Sequence, residues 1–242
     1  MNFFSGVNDS EDKESDFDKF DPDKNFTFED NCEYVYNTNS NTSKESEISV
    51  INFNIRSIQQ NFKKFTDLIS NSNTNFDVIA LTETWLSDDS YLEDYTITGY
   101  HPPIVQNRKD GSRGGVLLYF KECFESYNIC NKLSFNDIHN HILTVKALKN
   151  KKAYCISVCY RSPSSENTTF LVNFEKVVSD IKKKNSIITG DFNYNLFNIQ
   201  HHADTSNYYN MMTSNSFRTL ITKPTRMTDN TTTFTNKLSN IF

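Results

Sequence analysis

Apolar residues in this chain occur in short runs separated by polar segments, and six of these runs have the length of β-strands. They cover residues 48–54, 76–81, 114–120, 142–148, 153–160 and 186–189. Short, mostly apolar runs bounded by polar residues are typical of strands buried in a sheet. The pattern therefore predicts a protein with a substantial sheet core.

Two longer segments carry apolar residues at helical spacing instead. The first predicts a helix over residues 58–70, with Ser57 as its cap and Gln60 completing a capping box. The second predicts a helix over residues 166–183, and a third helix is expected around residues 206–216. Because helices and strands alternate along the chain, we predict an α/β (α+β) fold with layered sheets.

Charge divides the chain into two parts. Residues 1–47 hold 13 acidic residues and four lysines, a net charge of −9, whereas the rest holds 17 acidic and 21 basic residues, a net charge of +4. The first part is rich in Asp, Glu, Asn and Ser without periodicity. We therefore predict a disordered leader over residues 1–46 and one folded domain over residues 47–242, whose mild basicity is compatible with a polyanionic partner.

Composition narrows the class of protein further. The 242 residues suit one domain plus an appendage, and a hydrophobic content of 36% excludes disorder throughout. No apolar run approaches the roughly 20 residues of a membrane span, so an intracellular protein is expected. Five cysteines without a C-x-x-C spacing indicate reduced thiols, and Cys155 and Cys159 are expected to pack on one strand face.

Polar residues with catalytic potential follow four of the predicted strands. Asn54 and Tyr160 each close a strand, Glu83 follows another, and Asp191 comes after the strand that ends before Gly190. Ligand sites gather at strand ends in layered sheet proteins. Two carboxylates, a carboxamide and a phenol suit Mg²⁺, which would polarise a phosphodiester. Taken singly, each residue is explained equally simply as a turn former or a packed aromatic.

Five strings in this order resemble one family: Asn-Ile-Arg-Ser (54–57), Leu-Thr-Glu-Thr-Trp-Leu (81–86), Gly-Gly-Val (114–116), Tyr-Arg-Ser-Pro (160–163) and Thr-Gly-Asp-Phe-Asn (189–193). The family is the endonuclease/exonuclease/phosphatase superfamily, in particular the apurinic-type endonuclease domain of non-LTR (LINE-like) retrotransposons. The resemblance covers residues 20–242, most securely 48–226. It implies a four-layered sandwich of two packed β-sheets flanked by helices.

The resemblance also implies roles for individual residues. Glu83 would bind a divalent metal, Mg²⁺ or Mn²⁺, with support from Asn54. Asp191 would orient or deprotonate the attacking water, while Asn193 and Tyr160 would hold the phosphate. Thr225 matches a threonine near the family's site. The candidate contacts to DNA phosphates are Arg56, Arg108 and Arg113, although an exposed charged hairpin explains residues 108–113 almost as well.

The implied reaction is metal-dependent hydrolysis of a DNA phosphodiester, leaving a 3′-hydroxyl that primes reverse transcription. The implied partners are DNA and, in the parent element, a downstream reverse transcriptase, with a nuclear location and a monomeric state. His139 and His141, just before the predicted strand of residues 142–148, alternate as on one strand face and have too few companions for a metal site. We interpret both histidines as structural or surface residues.

The end of the chain departs from the family pattern. Ser239 stands where the family has an aspartate, and no closing Ser-Asp-His follows. We therefore expect the last strand or strands of the sandwich to be missing, which would leave a sheet edge uncovered. Two alternatives stay open: a truncated, inactive remnant that binds DNA weakly, and another phosphoesterase of the superfamily acting on a lipid or inositol phosphate.

Overall fold

The computed structural model describes residues 48–72, 75–108, 113–182, 184–196 and 199–220. The predicted leader, Thr225 and Ser239 lie outside these ranges, so the expectations placed on them stay predictions. Within the described ranges, no helix is long and apolar enough to cross a membrane.

The first sheet contains four strands: β1 (Val50–Asn54), β2 (Val78–Thr82), β3 (Ile104–Gln106) and β4 (Val116–Phe120). Their order across the sheet is β1-β2-β4-β3. β1 runs parallel to β2, and the other two pairs are antiparallel.

The second sheet contains five strands: β5 (Ser126–Ile129), β6 (Phe135–Asn136), β7 (Asn140–Lys149), β8 (Lys152–Arg161) and β9 (Ser186–Asp191). Their order is β5-β7-β8-β9, with β6 also paired to β7. β7 and β8 form a long hairpin, closed by Asn150 and Lys151 with φ of 51° and 60°. Two left-handed residues make the turn whose twist suits a tight hairpin. β9 runs parallel to β8.

Three helices cover the outer faces of the two sheets: α1 (Ile58–Asn71), α2 (Asn167–Ile181) and α3 (Ala203–Ser214). Ile58 and Phe65 of α1 are buried with residues of β2 and β4. Phe174 of α2 and Tyr208 of α3 are buried in a second cluster with residues of β8 and β9. Ser57 caps α1 as predicted, since its hydroxyl accepts a hydrogen bond from the Gln60 amide at 3.4 Å. The reciprocal bond of the predicted capping box is replaced, because the Ser57 amide donates to the carbonyl of Glu83 at 2.9 Å.

A third apolar cluster fills the space between the sheets. It joins alternate residues of β2 and β4 to alternate residues of β7 and β8, among them Ala80, Leu118, Val145, Ile156 and Val158. Because side chains alternate between the faces of a strand, each sheet contributes one face here and the other to the helices. The order of layers is helix, sheet, sheet, helix, which confirms the predicted four-layered sandwich.

The pattern of apolar residues located the long strands but missed three short ones. All six predicted strands exist, with ends shifted by a few residues, and the third helix begins at Ala203 rather than near residue 206. β3, β5 and β6 are absent from the prediction. They hold only two to four residues each, so they depend on hydrogen bonds to β4 and β7 rather than on a local apolar run. Cys155 and Cys159 pack together in the helix-side cluster, as expected.

An ion pair joins the two sheets at the start of β2. Asp77 accepts a hydrogen bond from Nζ of Lys149, the last residue of β7, at 2.7 Å, and others from the amide and hydroxyl of Ser49 at 2.9 and 3.2 Å. Both charged side chains are largely buried. Burial opposes ionisation of Asp77, but the bonds from Lys149 and Ser49 outweigh it and lower the pKa of this carboxyl.

We expect Asp77→Asn to lower the free energy of unfolding by about 2 kcal/mol near pH 7, because it leaves the Lys149 ammonium without a counterion. A carboxyl with a lowered folded pKa stabilises fully above its unfolded pKa, near 4, and loses this effect as the pH falls through the folded value. The difference in unfolding free energy between wild type and Asp77→Asn, measured by urea unfolding, should therefore be smaller at about pH 3 than at neutral pH.

The exposed pair of Asp180, near the end of α2, and Lys184, just after the helix, provides the control, with Nζ and Oδ2 2.6 Å apart. Asp180→Asn should change stability by about 0.5 kcal/mol or less, since exposed ion pairs contribute little. Equal losses for the two variants would contradict a stabilising role for the Asp77 pair.

Candidate active site

The side chain of Asn54 joins the two sheets at the end of the sandwich opposite to Asp77. Its Nδ2 donates to Oε1 of Glu83 at 2.7 Å and to Oδ2 of Asp191 at 3.0 Å. Asn54 ends β1, Glu83 directly follows β2, and Asp191 ends β9. One carboxamide thus bridges two carboxylates that lie 108 positions apart in the chain, and the three residues converge as the sequence predicts.

The backbone around Glu83 is fixed from both sides. On one side, the amides of Ser57 and Ile58 donate to the carbonyls of Glu83 and Thr84 at 2.9 and 3.0 Å. On the other, the amide of Trp85 donates to the carbonyl of Gly114 at 2.9 Å. A Cβ on Gly115 would lie 2.6 Å from Oγ1 of Thr84, so only glycine permits this approach.

Left-handed backbone conformations gather in these loops. Eight non-glycine residues of the described ranges have positive φ, and five of them lie in the loops that carry the site: Arg56, Ser57, Glu83, Trp85 and Asn193. Such conformations cost about 1–3 kcal/mol each and tend to collect at functional sites. The folded scaffold therefore holds Glu83 in a conformation that a free loop would rarely adopt.

Asn193 supports the loop that follows Asp191. Its amide donates to Oδ1 of Asp191 at 3.2 Å, and its side-chain Nδ2 donates to the carbonyl of Arg161 at 2.5 Å. These bonds tie the end of β9 to the end of β8. The backbone amide of Asn193 thus positions Asp191, and its side chain holds the loop against the end of β8.

Tyr160 completes the group from the neighbouring strand. It is paired directly with Asp191 in the register of β8 and β9, so both side chains point to the same face. Burial first, and then the negative charges of Glu83 and Asp191, raise the pKa of the Tyr160 phenol. The phenol is therefore protonated at neutral pH and is available as a hydrogen-bond donor.

The three arginines that were predicted to contact DNA phosphates have different surroundings in the structure. Arg56 lies in the loop that follows Asn54, and the positive charges of Arg108 and Arg56 partly offset the rise in the pKa of the Tyr160 phenol. The guanidinium carbon of Arg113 lies 5.7 Å from the ring centre of Trp85, within range of a cation–π contact. The proposed hairpin between Arg108 and Arg113 falls partly outside the described residues.

The donor set suits a hard cation. Oδ1 of Asn54 is buried and has no hydrogen-bond partner among the described residues, and the carboxylates of Glu83 and Asp191 flank the same side chain. The described ranges contain no group of three or more His, Cys, Asp or Glu residues suited to a metal. Mg²⁺ commonly takes only one or two carboxylates and completes its shell with water and phosphate, so these oxygens fit it.

The sequence alone indicates only a structural or surface role for His141, whereas the structure places it beside Tyr160. The two residues are paired in the register of β7 and β8, and their ring centres lie 5.9 Å apart. Only the pairing of the two strands reveals this neighbour, because 19 positions separate the residues in the chain. His139, two positions earlier, precedes β7 and is only partly buried.

The fold and these strand-end residues describe a layered α/β sandwich with carboxylate, amide and phenol groups gathered at one end of its sheets. The sequence matches the Endonuclease/Exonuclease/phosphatase family over residues 51–241. The chain therefore belongs to that family. Curated proteins include no match to this sequence.

Solved structures support the fold. The chain is similar to the endonuclease domain of TRAS1, a telomere-specific non-LTR retrotransposon, with a TM-score of 0.61 and 11% identity over 80% of this chain and 82% of that one. It is also similar to an AP endonuclease from Archaeoglobus fulgidus, with a TM-score of 0.52 and 14% identity over 69% of this chain and 71% of that one.

Proposed function

We propose that this chain is the DNA endonuclease domain of a non-LTR retroelement and hydrolyses a phosphodiester to leave a 3′-hydroxyl. The observation that carries the proposal is the Asn54 bridge, which brings Glu83 and Asp191 together beside Tyr160. The family match and the order of the motifs support this substrate class. The 3′-hydroxyl would prime a reverse transcriptase encoded downstream in the same element.

Each residue of the site has a separate role in the proposed hydrolysis. Asp191, held by the side chain of Asn54 and the amide of Asn193, orients the attacking water and accepts its proton. Water attacks phosphorus and the bond from phosphorus to the 3′ oxygen breaks. The 3′ oxygen takes up a proton from solvent to become the 3′-hydroxyl, and the new oxygen–phosphorus bond leaves a 5′-phosphate. Tyr160 donates a hydrogen bond to the phosphate as negative charge builds on its oxygens.

Glu83 and Oδ1 of Asn54 would hold the divalent metal. When bound, Mg²⁺ supplies charge stabilisation on the phosphate oxygens and on the leaving oxygen. Glu83 is suited to this role because backbone bonds fix its loop on both sides and Nδ2 of Asn54 donates to its carboxylate at 2.7 Å.

Nicking of supercoiled plasmid DNA by the purified chain in Mg²⁺ tests the proposal. Wild type should convert the supercoiled form to the nicked form, chelation of the metal with EDTA should stop the reaction, and DNA polymerase should extend the new ends. Glu83→Gln keeps the size of the side chain but removes its charge, and should lower the nicking rate at least about a hundredfold.

Glu175→Gln is the matched control, since Glu175 is exposed on α2. It should nick at the wild-type rate. If the folded wild-type chain nicks no faster than the Glu83 variant, the endonuclease proposal is wrong and the inactive-remnant alternative holds. Phosphate release from an inositol or lipid phosphate without nicking would favour the other phosphoesterase alternative.

A further inference from the structure

His141 extends the row of site residues by one strand. Asp191 on β9 is paired with Tyr160 on β8, and Tyr160 is paired with His141 on β7. Paired residues on neighbouring strands share a face, and strands lie about 5 Å apart. His141 therefore lies on the same face as the catalytic group, beyond Tyr160 and away from Asp191.

The imidazole of His141 is enclosed without hydrogen bonds. The residue has no solvent exposure, and neither Nδ1 nor Nε2 has a hydrogen-bond partner among the described residues. Leaving a buried polar group unpaired typically destabilises a protein, and native structures contain few such groups. A histidine that served only to fill the core would be better replaced by an apolar residue.

Arg108 lies beside this imidazole, at Gly114. A Cβ on Gly114 would lie 3.0 Å from Nε2 of His141 and 3.2 Å from Cδ of Arg108, so both side chains converge on the same glycine. Nε of Arg108 is also buried and has no hydrogen-bond partner within the described part of the chain. The head of Arg108 is held by one exposed bond, from Nη1 to the carbonyl of Arg113 at 3.2 Å.

The environment keeps His141 neutral. Burial first, and then the nearby charge of Arg108, lower its pKa to about 4, while Asp137 acts in the opposite direction. A neutral imidazole has one N–H donor and one acceptor nitrogen. His141 and Arg108 thus place two unpaired N–H donors and a positive charge beside Tyr160.

We propose that His141 and Arg108 form a second phosphate subsite, which holds the DNA phosphate next to the one that is cleaved. The inference rests on the proposed function, since it requires DNA as the substrate. Arg108 moves off the imidazole and both side chains donate to the same phosphate, so the donors that are unpaired in the free protein become paired in the complex. Such contacts to the backbone position a strand without reading its sequence.

Binding of a short DNA duplex in EDTA, followed by fluorescence anisotropy, tests the subsite apart from catalysis. His141→Leu should weaken binding about tenfold, since it removes a donor to a charged group, and should leave the unfolding temperature unchanged or raise it. Arg108→Gln should weaken binding to a similar extent. The double variant should bind about as weakly as Arg108→Gln alone, because the two residues hold one phosphate.

Lys152→Gln is the control for loss of charge, since Lys152 is exposed at the β7–β8 turn, far from this row. It should bind DNA almost as wild type does. If His141→Leu is less stable and binds DNA normally, His141 is a structural residue and the subsite is wrong. His141→Gln, which keeps a donor, replaces the leucine variant if that variant does not fold, and it should restore part of the binding.

The outcomes separate the subsite from the nuclease activity. DNA binding that depends on His141, without any nicking in Mg²⁺, would support the subsite and contradict the endonuclease proposal. Nicking by a chain whose DNA affinity does not depend on His141 would support the endonuclease proposal and contradict the subsite. A wild-type chain with no affinity for DNA would overturn both.

Discussion

Asp191→Asn is expected to slow DNA nicking by about 10²–10⁴-fold, which is the usual contribution of a positioned acid–base group. The asparagine keeps one oxygen that can accept the hydrogen bond from Nδ2 of Asn54, which reaches Oδ2 of Asp191 at 3.0 Å. It cannot accept the proton of the attacking water. The variant should therefore fold and bind DNA but cleave slowly, as measured by initial nicking rates in Mg²⁺ beside thermal unfolding curves.

Asp180→Asn provides the same chemical change on an exposed helix position. It should nick at the wild-type rate. Wild-type nicking by a folded Asp191→Asn would remove Asp191 from the mechanism, whereas an unfolded variant would show that the carboxylate is needed for the fold. Since the two results are read from different measurements, they cannot be confused.

Gly190→Ala should destabilise the chain by about 3 kcal/mol or more, the largest stability effect that we expect from removal of a glycine. Gly190 has a φ of 143°, and a Cβ there would lie 1.8 Å from the carbonyl oxygen of Cys159 on the paired strand. β8 and β9 would have to separate at the residue before Asp191. Urea unfolding, or the yield of soluble protein if the variant does not fold, measures the loss.

Gly99→Ala is the control for backbone strain without a clash. Gly99 has a φ of 84°, and a Cβ there would meet no atom within 4 Å. The cost should be about 1 kcal/mol, that of a left-handed alanine. If both variants lose the same stability, the close approach of β9 to Cys159 is not what requires glycine at position 190.

Four residues show how much of the candidate site can be predicted from the sequence. Asn54, Glu83, Tyr160 and Asp191 were predicted together because each follows an apolar strand, and the structure places them at one end of the sandwich. Taken singly, each is explained as a turn former or a packed aromatic, and the order of the five motifs along the chain is what indicated a shared chemistry. The Asn54 bridge was not readable, because it depends on how the two sheets face each other.

His141 and Gly190 show which features of the site the local sequence pattern does not predict. Nothing in the local pattern separates His141 from His139, yet only His141 is paired with Tyr160. A shift of one residue in the register of β7 would turn the opposite face toward the site. Similarly, the requirement for glycine at position 190 comes from the backbone of Cys159, which is distant in the sequence.

The sequence by itself determined the long helices and strands, the layered class of fold and the types of residue at the strand ends. These follow from local periodicity, which short stretches of chain carry on their own. Only the tertiary structure decided strand order, pairing register, the short strands β3, β5 and β6, and the surroundings of His141. Those depend on contacts between distant segments, whose geometry is set when the two sheets pack together.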